Sequence, residues 1–162
     1  MGVAEDLLTL AGRLANPARQ YPKQASLRRS ISTAYYALFH FLVRESVKGW
    51  NGTDAARAGL ERRFEHAKMK SVSRDVANDK WLGWSTPAPK VPPELRSVAR
   101  AFVLMQEARH LADYDNAKEW TRIEAREMVA EVHRALENWA TIWTHPAANE
   151  YLLSLLIGSK RE

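Results

Sequence analysis

The sequence predicts an all-α protein, an up-and-down bundle of four to five main helices with a short terminal helix, in one domain spanning residues 1–162. Three observations predict it. Apolar residues recur at spacings of three and four along most of the chain, the period that gathers them on one face of a helix. No stretch alternates apolar and polar residues with period two over several positions, so strands have no support. Hydrophobic residues make up 46% of the 162 positions and charged residues 27%, which supplies one core at a length where folding buries roughly two thirds of the unfolded surface.

The first helix is expected over Val3–Leu14, with Leu7, Leu8, Leu10, Ala11 and Leu14 at helical spacing, before Pro17 and Pro22 interrupt it. The second, from about Lys23 to Lys48, is the most hydrophobic: Ile31, Ala34, Tyr35, Leu38, Phe39, Leu42 and Val43 share a broad face. Such a helix belongs at the centre of a bundle. Gly49 and Asn51-Gly52 end it, and Thr53 or Asp54 caps a third helix running to about Lys70. Residues Asn78–Pro93 hold Pro87, Pro89, Pro92 and Pro93, together with Trp81 and Trp84, and read as an extended connection tied down by aromatics. A fourth helix starts at Pro93 or Glu94 and runs to about Tyr114. Asp113-Tyr114-Asp115-Asn116 offers a cap for the fifth, which carries Ile123, Val129, Val132, Leu136, Trp139 and Trp143 and stops at Pro146. Tyr151–Ile157 makes the short last helix. The six tryptophans are expected mostly in the core or at an interface.

Several chemistries are excluded by composition. Without cysteine there is no disulfide, thiolate metal site or thiol nucleophile. His133 and His145 lack a zinc-ligand spacing, so no metal is expected, and no Gly-rich phosphate loop, nucleophile elbow or dinucleotide fingerprint implies a cofactor. No apolar run reaches the ~18 residues of a membrane span and no signal-peptide pattern opens the chain, so the expected location is cytoplasmic, away from membranes. Twenty-four Lys and Arg against nineteen Asp and Glu leave a net charge of +5. That balance favours a polyanion partner only where the cations cluster. Arg62, Arg63, His66, Lys68 and Lys70 form one such run, although runs of this kind usually belong to a solvated face.

Two polar stripes fall where apolar residues are expected. In the fourth helix Leu95, Val98, Phe102 and Met105 step toward Arg109, which places a guanidinium on the seam facing other helices. Burying it costs several kcal/mol unless it is paired or opens on a cleft. Asp113, four residues on, can pair with it inside the helix, and that pairing leaves room for a second role at an anion. In the second helix Arg29, Thr33, Tyr36 and His40 line one side. Each can be an ordinary core-edge residue; facing Arg109, they would make a phosphate-binding cleft.

Three blocks of sequence resemble a known family. Leu27-Arg28-Arg29-Ser30-Ile31-Ser32-Thr33-Ala34-Tyr35-Tyr36-Ala37-Leu38-Phe39-His40 is similar to the second-helix signature of bacterial HEPN proteins, the helical nucleotide-binding domains of higher eukaryotes and prokaryotes. Glu65-His66-Ala67-Lys68-Met69-Lys70 and Ala101-Phe102-Val103-Leu104-Met105-Gln106-Glu107-Ala108-Arg109-His110-Leu111-Ala112-Asp113-Tyr114 follow in the same order, so the resemblance covers about Leu27–Leu136. It implies a helical bundle that commonly dimerises, often beside a nucleotidyltransferase-like partner, in toxin–antitoxin or defence systems. In active relatives an arginine followed four to six residues later by a histidine forms a metal-independent ribonuclease site.

This chain departs from that pattern, because Asp113, Tyr114 and Asp115 stand where the histidine is expected and His110 follows Arg109 directly. Arg126 and His133 stand seven positions apart, with six residues between them, so they meet the pattern only when the intervening residues are counted, and they lie outside the matching blocks. The expectation is therefore a HEPN-like RNA- or nucleotide-binding homodimer. Catalysis, if retained, would rest on Arg109 with His110 or His40, and substrate binding on Arg29, Tyr36, Asp113 and Tyr114. The alternative is a non-catalytic interaction module, an antitoxin-like partner or a homodimeric scaffold, in which the same residues hold helices together.

Overall fold

A computed structural model describes residues 2–18 and 20–160. The described residues form seven helices and no strand: α1 Val3–Ala15, α2 Gln24–Val47, α3 Asp54–Glu61, α4 His66–Ala77, α5 Pro93–Tyr114, α6 Arg122–Ile142 and α7 Pro146–Ile157. The chain is all-helical and the helices pack as a bundle around α2, which touches α1, α3, α5, α6 and α7. Its central place follows from its sequence: Leu27, Ile31, Ala34, Tyr35, Leu38 and Leu42 are all buried, and buried residues appear on nearly every side of it. Each large apolar side chain so buried contributes about 1.5–3 kcal/mol relative to exposure. None of the helices is long and apolar enough to cross a membrane among the described residues.

Helix ends follow local chemistry. Thr53 caps α3 by accepting from the Ala56 N–H, and Pro93 and Pro146 occupy first turns where a missing N–H costs nothing. Thr121 and Glu124 form a reciprocal capping box at the start of α6. That start corrects the expected cap at Asp113–Asn116. Asp115 instead accepts from the Ala117 and Lys118 N–H groups at 2.9 and 3.3 Å, holding a turn, so the helix waits for the stronger cap at Thr121.

The expected third helix is two. The chain leaves helical geometry at Arg62–Glu65, Phe64 turns its ring into the core, and α4 begins at His66. Neither Gly nor Pro marks the break, so burial of Phe64 overrides local propensity. The basic run around it is partly paired: Lys68 lies 3.6 Å from Glu65 and Lys70 lies 3.4 Å from Glu107. The last helix also begins five residues earlier than expected, at Pro146, where the His145 ring accepts from the Ala147 N–H. Trp81, Trp120 and Trp139 are buried as expected, whereas Trp50, Trp84 and Trp143 are exposed.

The connection at residues 78–92 is extended and anchored on α7. Both Trp81 and Trp84 donate their indole N–H to the Ser154 hydroxyl at 3.1 Å. Across the molecule α1 is tied to α2 by a two-pronged ion pair, with Arg44 nitrogens 3.0 and 2.7 Å from the Glu5 carboxylate. Arg44 holds the Glu5 carboxyl down to about 2. A carboxylate whose folded value is depressed contributes stability above its ordinary value and loses it as pH falls. The urea midpoint of the wild type is therefore expected to exceed that of Glu5→Gln at neutral pH, and the gap to close between pH 4.5 and about 2. A gap that stays constant through this window would show that the pair contributes no charge-dependent stability.

Candidate anion-binding site

α2 and α5 run antiparallel, so the start of α2 meets the end of α5. Arg28 makes this junction. Its guanidinium donates to the carbonyls of Ala112 at 3.0 Å, Asp115 at 2.8 Å, and Lys118. These oxygens belong to the last turn of α5 and the segment after it, where carbonyls lack helical partners. Gln24, at the first position of α2, exchanges hydrogen bonds with the backbone of Trp120 at 2.7 and 2.9 Å. Together the two side chains fix the segment that carries Asp113 and Tyr114.

One turn below the junction sits Arg109, with 13% of its side chain accessible. Its guanidinium carbon lies 5.1 Å from the centre of the Tyr35 ring and 5.8 Å from that of Tyr36, cation–π distances to both. The Asp113 carboxylate, four residues on, stands 3.6 Å away. That is the expected internal ion pair, at a long separation. Asp113 also accepts from the Ser32 hydroxyl at 3.4 Å. The buried Nε of Arg109 has no hydrogen-bond partner, although a guanidinium in a low-dielectric site gains most from filling all its donors.

Above Arg109 opens a hollow lined by Ala25, Arg28, Arg29, Ser32, Tyr36, Ala112, Asp113 and Tyr114. Four of the residues expected at a binding site thus meet there: Arg29, Tyr36, Asp113 and Tyr114. Arg29 is exposed and makes no hydrogen bond or ion pair among the described residues. Tyr114 is 67% exposed at the rim. Arg109 is not part of this lining but neighbours two of its members, with its guanidinium 5.8 Å from the centre of the Tyr36 ring and 3.6 Å from the Asp113 carboxylate.

The histidines distribute differently from expectation. His40 is exposed, with its ring 6.4 Å from that of Tyr36 and outside the hollow's lining. His110 is also exposed and packs beside Tyr114, ring centres 5.1 Å apart, without lining the hollow. The sequence reading missed His66. Its ring stacks on Phe39 at 4.2 Å, and its Nδ1 shares a 2.5 Å hydrogen bond with the hydroxyl of fully buried Tyr35. Burial holds its titration below the ordinary range for histidine, and the charges of Arg109 and His40 push the same way. The imidazole is consequently mostly neutral at pH 7. Burial likewise raises the Tyr35 phenol, opposed by Arg109, so that hydroxyl stays protonated.

The arrangement can hold an anion by charge and donors. Arg29 offers a free guanidinium at the hollow, whose lining also includes Ser32 and Tyr36, and Arg109 beside Tyr36 is a sheltered one with an unfilled donor. Arg126 and His133 are exposed on α6, apart from this site. No group of three or more His, Asp or Glu side chains among the described residues could hold a metal ion. No family model matches the chain, and neither a curated protein nor a solved structure is significantly similar to it.

Proposed function

We propose that this chain is a HEPN-like protein of a bacterial toxin–antitoxin or defence type that binds RNA or a nucleotide through phosphate at the α2–α5 hollow. The observation that carries the reading is Arg109: a sheltered guanidinium whose Nε has no partner and whose carboxylate neighbour stands 3.6 Å away. A structural ion pair alone would be expected to close to ordinary hydrogen-bond distance and fill its donors. An anion entering beside Arg29 and Tyr36 would supply the missing acceptor. The resemblance carried by the three sequence blocks adds the expectation of a homodimer and of a nucleotidyltransferase-like partner.

Metal-independent cleavage of RNA is the enzymatic form of this proposal. It needs a proton-transfer group near Arg109; His66 is linked to it through Tyr35, whose hydroxyl bonds the His66 Nδ1 and whose ring lies 5.1 Å from the Arg109 guanidinium carbon, although His66, like His40 and His110, does not line the hollow. RNA incubated with the protein in excess chelator is expected to be cleaved by the wild type and by neither Arg109→Ala nor His66→Ala. RNA that binds but stays intact would support the non-catalytic module instead.

Asp113 occupies the place an incoming anion would take. Asp113→Asn removes the competing charge and keeps the shape, so affinity for inorganic phosphate or a short RNA is expected to rise by up to about tenfold, less at high salt. Isothermal titration at two ionic strengths measures it. Weaker binding by this variant would mean that Asp113 holds Arg109 ready for the ligand instead of competing with it.

A further inference from the structure

A second cavity lies about 13 Å further along α2 from Tyr36 and on its opposite side, since nine residues advance a helix by two and a half turns. It has a volume of about 440 Å³, within the range of roughly 300–1,000 Å³ typical of small-molecule sites. Leu60, Phe64, Leu152 and Leu156 make an apolar wall, and Trp139 and Trp143 stand at one side. Among these apolar groups sits a carboxylate. Only 12% of the Glu45 side chain is accessible, and the Trp139 indole N–H donates to its Oε1 at 2.8 Å.

The protein's own lysine indicates what this carboxylate recognises. Lys48 Nζ lies 3.4 Å from Glu45 Oε2 and 5.8 Å from the centre of the Trp143 ring, so an ammonium rests between a carboxylate and an aromatic face. Both elements of cation recognition are present. Yet the Lys48 side chain is 67% exposed and can leave for water at little cost, whereas Glu45 stays sheltered. A bound ammonium joined to an apolar body would make the same two contacts and fill the apolar wall as well.

We propose that this cavity binds a small organic ammonium compound, an aryl- or alkylamine, with its head between Glu45 and Trp143 in place of Lys48 and its apolar body against Phe64 and Leu152. The site is separate from the phosphate hollow and takes the opposite charge. The two readings stand or fall independently.

Tryptophan emission tests it, because Trp139 and Trp143 line the cavity. The wild type is titrated at neutral pH with phenethylamine, with the neutral phenethyl alcohol and with the anionic hydrocinnamate. Saturable binding of the amine is expected, about tenfold or more weaker binding of the alcohol, and none of the carboxylate. Lys48→Ala should tighten the amine severalfold by removing its competitor, and Glu45→Gln should reduce the amine to the level of the alcohol. Should Glu45→Gln loosen the fold by freeing Trp139, Lys48→Ala and the three-compound series still decide. Equal affinity for all three compounds, which would mark a plain apolar surface open to another protein or a second copy, overturns the proposal. So does an absence of saturation by the amine, or weaker amine binding in Lys48→Ala.

Discussion

Arg109→Ala is expected to weaken binding of a short single-stranded RNA about ten- to hundredfold while leaving the helical content intact. A hydrogen bond to a charged group contributes about 1.5–3 kcal/mol, and 1.4 kcal/mol is a factor of ten in affinity. The loss is kept from being structural by the pair's own geometry: Asp113 has 29% of its side chain accessible, so the carboxylate left behind can turn to water. Arg109→Lys should recover only part of the affinity, because an ammonium restores the charge but cannot present the planar fork between Tyr35 and Tyr36. Fluorescence anisotropy of a labelled oligonucleotide measures all three proteins. Equal affinity in wild type and Arg109→Ala would assign Arg109 to helix packing.

Arg28→Ala should produce the largest loss of stability, about 2–4 kcal/mol. The guanidinium donates to three carbonyls that have little other recourse, those of Ala112, Asp115 and Lys118. Each charge-assisted bond is worth about 1.5–3 kcal/mol, but bonds made by one side chain do not add. For a chain of this size the result corresponds to a fall in melting temperature of roughly 5–15 °C. Arg28→Lys should recover less than half of it, since one ammonium cannot reach all three oxygens. Because this segment also carries Asp113 and Tyr114, Arg28→Ala should weaken RNA binding too, through a displaced rim. A melting temperature within a degree or two of wild type would show that the α5 terminus is held by other contacts.

Much of the architecture was readable where a single helix carries its own signal. The spacing of apolar residues located α1, α2 and α5 to within a residue or two, and Pro93 marked the start of α5. The interruption of the Leu95–Met105 progression by Arg109 singles out a candidate position, and Arg29, Tyr36, Asp113 and Tyr114 line one hollow near it. What escaped depends on residues distant in sequence. The break before α4 is driven by where Phe64 can be buried, and it is this break that brings His66 onto Tyr35. Without it His66 reads as one more member of a basic run. Arg28 likewise reads as a surface cation, because the carbonyls it serves lie 84 to 90 residues away. The sequence singles out His40 because it shares the Tyr36 side of α2 and His110 because it follows Arg109 directly, yet both side chains are exposed and neither lines the hollow.

The most direct test of the central claim follows the Nε–H of Arg109 itself. In nitrogen-edited proton spectra of wild-type protein, that resonance is assigned by its loss in Arg109→Lys and followed as inorganic phosphate is added at constant ionic strength. A saturable shift, steeper in Asp113→Asn, is the predicted result. A resonance that stays in place up to the solubility of phosphate, in a protein that remains folded, would contradict the account and leave the guanidinium as a strut between two helices.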